Sequence, residues 1–513
     1  MPIVRATIRI DAELSAAVWT SLQTDISDAD RFGWRRGMSG GGPLDNVAET
    51  GTCEFSLKNW TDPLGSRLQG WYSPNHANVR SGWTFGIQVR VVATYGGTDY
   101  VLWRGRLRTI DPIPGQYGPQ RVRCVAHDFM GDLAESEVNV AIQIAKTEVQ
   151  CLQAIVAALP SAAQPAATSY DAALEEFPYA LDNLASGAAA VTGVISVIDS
   201  CQGQAFVSKN GTFTYVNRHT WAIESSSFTF TELMLERETG VEVPSDLQGV
   251  WNDVTAVAHP KSVGAAIVLC GATSAVLVPA GRTEELFLDY RDPDNENRLI
   301  GGKNFTDPLV ENTDYDARAN ADGTGADLSA SLAIDVDPFA AKAKFSVTNG
   351  GATNAYLVNG SGTPLLQLRG DGLFDNQPDR RRSTSTQPYG TRKLTIDLPH
   401  QSDGAFAADC ASFTRARYEN LSDQVIAIAF DPQRSASLMV EALSAEIGDV
   451  KTISETMTGL AAIDAYVQGI EMEVTKGDYL RVRYTTAPAS PFGMWQLGVA
   501  GASELGESTV LGF

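Results

Sequence analysis

Few residues in this chain have the types and spacing that chemistry requires. Gly37-Met38-Ser39-Gly40-Gly41 has the G-x-S-x-G spacing of a hydrolase nucleophile elbow. That motif works only on a sharp turn between a buried strand and a helix. Trp34-Arg35-Arg36 precedes it and Gly42-Pro43 follows, which is poor context for a helix start, so it reads as a loop. Asp292, Asp294 and Glu296 alternate as carboxylates do in calcium loops. A helical calcium loop also needs Gly at its sixth position and Glu at its twelfth, where this chain has Asn297 and Lys303. An ordinary acidic turn is therefore favoured over a calcium loop, which stays the lesser alternative.

His76, His127, His219, His259 and His400 form no HxxxH or HExxH set, which excludes a helix-borne zinc site of that kind. His127-Asp128 falls at a strand end and reads as structural. Glu175-Glu176 and Glu284-Glu285 are adjacent pairs. Neighbours on a strand point to opposite faces, so neither pair is a glycosidase dyad by itself, although pairing with distant carboxylates stays open. Neither a Walker-type phosphate loop nor a dinucleotide fingerprint is present. Asp379-Arg380-Arg381-Arg382 is a basic patch without interleaved aromatics, better suited to a solvated loop or an interface ion pair than to nucleic acid. The expected set of catalytic, cofactor-binding and metal-binding residues is therefore empty, and the chain is not expected to be an enzyme.

The bulk composition agrees with a large folded protein. A chain of 513 residues exceeds the size at which one core stops growing, so several domains are expected. The net charge of −22 is uneven. Residues 1–130 hold 14 Lys and Arg against 12 Asp and Glu, so the whole acidic excess follows them. Such a surface is a poor ligand for duplex DNA. It suits plain solubility, or a conduit through which DNA passes without sticking. Cys53, Cys124, Cys151, Cys201, Cys270 and Cys410 are scattered singly, with no CxxC pair. Buried free thiols in a protein assembled in the cytoplasm are expected. The alternation from Val4 to Ile10 marks a strand, not a signal peptide, and no run approaches the ~20 apolar residues that span a bilayer. A soluble protein without an export address is expected.

The elements that must position these residues are mostly strands. Alternation and β-branched or aromatic content predict strands at 3–10, 51–59, 84–95, 100–110 and 119–127, the last running on to Leu133. Tyr95-Gly96-Gly97-Thr98 marks a tight hairpin, and residues 24–36 read as a loop. Thr147-Glu148-Val149-Gln150 is a capping box that opens a helix with Val149, Leu152, Ile155, Val156 and Leu159 on one face, stopped by Pro160. A Pro/Ala/Ser linker leads to Ser169. A second helix is predicted over 188–202, with Val191, Val194, Ile195 and Ile198 inward and Gly203 as its cap. Asn210-Gly211 then turns a hairpin between 205–209 and 212–216. Strands follow at 251–258, 282–290, 341–348 and 354–358, and Leu365–Gly370 returns the chain. A helix is predicted over 402–420, with Ser402 as N-cap and Phe406, Cys410, Phe413 and Ala416 on one face. Strands at 423–430, 470–474, 479–485, 495–499 and 508–513 close the chain. The fold class is mainly β with a few helices, a β-rich α+β chain whose polar, Gly/Asn/Asp-rich stretch at 270–375 looks like an inserted β-sandwich.

A series of short motifs carries a resemblance. In order they are Phe55-Ser56-Leu57-Lys58-Asn59, Tyr72-Ser73-Pro74, Trp103-Arg104-Gly105-Arg106-Leu107 and Pro112-Ile113-Pro114-Gly115. A helix–helix–hairpin ending in Asn217-Arg218-His219 follows, then Leu366-Gln367-Leu368-Arg369-Gly370 and Tyr389-Gly390-Thr391-Arg392. Trp495-Gln496-Leu497-Gly498 and Ser503-Glu504-Leu505-Gly506 close the series. Together they resemble the hub proteins, or minor tail proteins, at the tail tips and baseplates of long-tailed bacteriophages.

The resemblance implies two tube-protein-like β-barrels per chain. On that basis 1–135 is a first barrel, 136–220 a helix–helix–hairpin domain and 221–269 strands returning to the ring. Residues 270–375 are the inserted sandwich, 376–490 a second barrel with helix 402–420, and 491–513 terminal strands. It also implies a homotrimer that adapts a sixfold tail tube to a threefold tip. Its partners would be a distal tail or tube protein ring, the tape-measure protein and tail-tip fibre or spike proteins. DNA would be present only in transit, with no membrane insertion, in a virion assembled in host cytoplasm. Two other readings are a host-surface carbohydrate-binding adhesin, weakened by the absence of Trp from 270–375, and a cell-wall hydrolase, for which no module is recognisable.

Overall fold

The computed structural model describes residues 4–27, 32–114, 120–223, 225–236, 240–243, 247, 249–420, 425–475, 479–489, 493–494 and 509–510. Strands dominate the described residues, with six α-helices among them, so the fold is β-rich α+β.

The largest element is one 13-stranded sheet drawn from both ends of the chain. From one edge it runs Val241–Glu242, Ala427–Phe430, Tyr479–Pro488, Leu460–Thr475, Phe32–Gly37, Thr52–Lys58 and Arg121–His127. It continues through Thr98–Ile113, Gln88–Tyr95 and Thr7–Ser15 to Val18–Ser21. Ser226–Thr231 pairs with Val450–Glu455, which joins Leu460–Thr475 from the side. The two sequence-distant halves meet where Phe32–Gly37 lies antiparallel to Leu460–Thr475, in register from Phe32 opposite Val474 to Gly37 opposite Gly469. One apolar core serves both halves, with Ile8, Phe55 and Trp103 from the first and Phe430, Met439 and Tyr484 from the second.

Phe32–Gly37 falls inside a stretch that the sequence marks as loop. Its inward face is Phe32, Trp34 and Arg36. A guanidinium at the third position breaks the apolar alternation. It is buried all the same, because Arg36 pairs with Glu446 and donates to the Ala445 carbonyl at 3.1 Å. A second correction concerns residues 129–135. They form a helix, Phe129–Glu135, rather than a strand continuation, and Asp128 caps it by accepting the Met130 N–H at 3.0 Å.

Three smaller units pack around this sheet. In the first, the helices Glu148–Ala158 and Ala190–Cys201 and the hairpin Gln204–Val207/Thr212–Val216 enclose Leu152, Ile155, Val194, Ile198 and Phe213. The capping box is present, with Thr147 Oγ1 and the Gln150 side chain bonded reciprocally. Within the expected linker, Ala167–Tyr170 forms a strand parallel to Thr212–Val216. The second helix differs in two details. Ile195 faces outward at 41% exposure, and Gln202, at φ 56°, takes the left-handed cap. Gly203 serves a different purpose, because a Cβ there would strike the Tyr215 ring.

In the second unit, small sheets formed by strands between Lys261 and Asp375 share a core that includes Tyr290, Phe345 and Leu357. The chain enters and leaves this unit at one point, where the Asn376 N–H donates to the Pro260 carbonyl at 2.8 Å. In the third, Asp253–Ala258 lies between Asp379–Thr384 and Lys393–Leu398. The helix Gly404–Tyr418 covers this three-stranded sheet, not the 13-stranded one. Asp403, not Ser402, is its N-cap, and its inner stripe is Phe406, Ala407, Cys410, Ala411, Thr414 and Tyr418. The strand expected at 495–499 lies outside the described residues, and of 508–513 only Thr509–Val510 is described, as a strand.

Candidate functional site

The sequence-marked groups are resolved one by one into structural roles. Ser39 Oγ donates to Glu49 Oε1 at 2.6 Å, and the strand Phe32–Gly37 before it leads into a turn rather than a helix. The glycines around Ser39 answer to backbone crossings. Gly37 has φ 94°, and a Cβ on it would collide with the Gln468 carbonyl. One on Gly41 would collide with the Thr486 carbonyl, and one on Gly469 with that of Met38. These residues stitch the two halves of the sheet together.

Asp292–Asn297 is a tight hairpin in which Asp292 Oδ1 accepts the Asp294 N–H at 2.9 Å, while its Oδ2 lies 3.6 Å from Arg298. Glu175 pairs with Arg218 at 2.8 Å and Glu285 with Lys344 at 2.7 Å. The basic patch is a strand, not a loop. Arg382 forms a two-pronged bond to Asp253, 2.6 Å on each arm, and Arg381 pairs with Asp379. Among the described residues, no group of three or more His, Cys, Asp or Glu is arranged to hold a metal, and no helix is long and apolar enough to cross a membrane. All six cysteines are buried and unpaired.

The histidines occupy unlike surroundings. His259 Nε2 lies 2.6 Å from Asp397 Oδ1, and that bond raises its pKa. His400 is fully enclosed, with Nε2 3.4 Å from the Leu181 N–H and 3.0 Å from Ser196 Oγ. Burial drives its pKa well below the ordinary value, so it is neutral. Its Nδ1 faces Asp182 Oδ1 at 3.7 Å, and Asp182 in turn pairs with Lys261. This chain of groups joins the three smaller units.

Sequence reasoning missed the buried carboxylates. Glu148 is fully enclosed and accepts the Leu174 N–H (2.6 Å), the Glu175 N–H (3.1 Å) and the Tyr215 hydroxyl (3.2 Å). It stands inside the capping box, so its position was visible and its burial was not. Asp199, on the helix Ala190–Cys201, has its pKa pushed up to about 7 by burial and by the like charge of Asp397. Helical spacing places it one turn after Ile195, but nothing local marks Asp397 as its neighbour.

Asp199 borders an extended concavity. Two adjoining depressions, of about 550 and 340 Å³, share Val47, Glu49 and Ile195. The first runs past Met130 and Ala134 to His127, Glu135 and Arg35. The second reaches Leu44, Asp45, Asp199 and Asp397. The trough thus lies between the sheet centre, the helix Ala190–Cys201 and the strand Lys393–Leu398.

No family model matches the sequence, and no curated protein matches it. Solved structures do. A 43 kDa tail protein of prophage MuSo2 from Shewanella oneidensis aligns over 94% of this chain and 99% of its own, at 10% identity and a TM-score of 0.49. A tail protein from Neisseria meningitidis aligns over 93% and 96%, at 8% identity and a TM-score of 0.46. An Escherichia coli type VI secretion component, described as similar to the T4 tail proteins gp27 and gp5, aligns over 90% and 73%, at 8% identity and a TM-score of 0.35. The first two of these neighbours are described as tail proteins and the third as a secretion-system component.

Proposed function

We propose that this protein is a structural, non-enzymatic component of a phage tail, and that three copies close into a hub at the tip or baseplate. The observation that carries the reading is the 13-stranded sheet. Each chain supplies two strand sets, 7–127 and 427–488, joined along Phe32–Gly37 and Leu460–Thr475. In this reading each set is one barrel of the ring, so three chains provide six and match a sixfold tube above with a threefold tip below. Among the described residues, the outer strands Val18–Ser21 and Val241–Glu242 each pair on one side only, which leaves the other for a neighbouring copy. The bore would pass the tape-measure protein and then DNA, and the acidic excess would keep DNA from adhering.

Sedimentation equilibrium of the purified chain tests the reading, together with electron microscopy of assembled particles. A threefold ring with a central opening is the expected outcome. A monomer in both preparations sinks the proposal.

A further inference from the structure

The trough beside the helix Ala190–Cys201 combines two properties that surfaces seldom join without a partner. Its walls are apolar and open. Leu44 is 52% exposed and Ile195 41%, and Val47 lines the same depression. Its rim at one end is acidic, with Asp45, Glu49, Asp199 and Asp397 around one depression and no cation among its lining residues. Three of these carboxylates have partners. Asp45 accepts the Gly42 N–H at 2.8 Å, Glu49 accepts the Ser39 hydroxyl, and Asp397 meets His259. Asp199 has neither a hydrogen bond nor an ion pair to its carboxylate among the described residues. It faces Asp397, and its raised pKa reports the cost of that like-charge, partly dry position. At the other end Arg35 and His127 lie beside Glu135, which pairs with Arg108 at 3.3 Å.

We propose that this trough docks a segment of another protein that carries apolar side chains flanked by lysine or arginine. The apolar side chains would cover Leu44, Val47 and Ile195, and a cation would sit between Asp199 and Asp397. Complementary charge selects the occupant. An acidic or neutral segment would leave the Asp199 carboxylate uncompensated as water is excluded. The inference does not rest on the hub reading.

The test uses the full-length chain and two fluorescein-labelled amphipathic peptides, one of leucine and lysine, the other of leucine and glutamate. The lysine peptide is expected to bind and the glutamate peptide not to. Because the whole chain is acidic, the informative comparison holds net charge constant. Asp199→Asn with Asp397→Asn is expected to weaken binding about tenfold, whereas Asp335→Asn with Asp337→Asn, on the strand Leu332–Pro338, should change it less than about twofold. Equal weakening by both pairs, or no binding, overturns the proposal.

A second readout places the peptide. Since the six native cysteines are buried, Ile195→Cys can carry an environment-sensitive fluorophore alone. A blue shift on adding the lysine peptide supports the assignment. A blue shift that follows the protein's own concentration makes the occupant a second copy and overturns it.

Discussion

Asp128 is buried at the start of the helix Phe129–Glu135 with only one of its carboxyl oxygens in use. Oδ1 accepts the Met130 N–H, while Oδ2 has no partner and lies against Gly51. Burial, the largest cause, pushes its pKa up to about 7, whereas an unfolded chain releases that proton near pH 4. Between those values the folded state holds a proton that the unfolded state has lost, so this group's contribution to stability falls as pH rises. Asp199 acts with the same sign, again because of burial first and Asp397 second. His400 acts with the opposite sign: its depressed pKa costs stability as pH falls below the ordinary histidine range. Asp128→Asn isolates the first contribution while keeping a competent cap. The variant should gain on the wild type as pH rises from about 5 to about 8, by on the order of a few kcal/mol. Thermal midpoints across that range check it, and a constant offset between the two proteins would refute it.

Local chemistry was readable from the sequence where an element begins or turns. Thr147 with Gln150 announces the helix Glu148–Ala158, and Asn210-Gly211 the hairpin after Gln204–Val207; both stand where expected. Thr147→Ala should cost about 1 kcal/mol. Faster amide exchange at Val149 and Gln150, with Gln204–Val207 unchanged, would show it. What stayed hidden depends on residues far away. Phe32–Gly37 looked like a loop because Arg36 interrupts its pattern, and Arg36 is tolerated inside only because Glu446, 410 residues on, meets it. Ala167–Tyr170 sits in a Pro/Ala/Ser stretch and becomes a strand only by lying beside Thr212–Val216. Helix Phe129–Glu135 is too short for its period to stand out beside the strand that precedes it. The acidic end of the trough was illegible for the same reason, since Asp199 and Asp397 come together only when the helix Ala190–Cys201 and the strand Lys393–Leu398 are placed.

At the scale of the whole molecule, the 13-stranded sheet and the 261–375 unit differ in how they are attached. The sheet draws strands from both halves of the chain, and its centre rests on Phe32–Gly37 lying against Leu460–Thr475. The 261–375 unit has its own core and touches the rest at a few points, including Lys261 with Asp182 and Lys342 with Glu137. Replacing 261–375 by a short Gly/Ser link, with Asp182→Asn to avoid an unpaired buried carboxylate, should leave the main thermal transition within about 5 °C and the sedimentation state unchanged. Aggregation, or a change of oligomeric state, would show that the unit is part of the scaffold. Because Pro260 and Asn376 are hydrogen-bonded neighbours, the unit hangs from a single stem. Any foreign fold whose own first and last residues lie side by side could be spliced there, so the same frame could exchange one inserted unit for another without relearning how to fold.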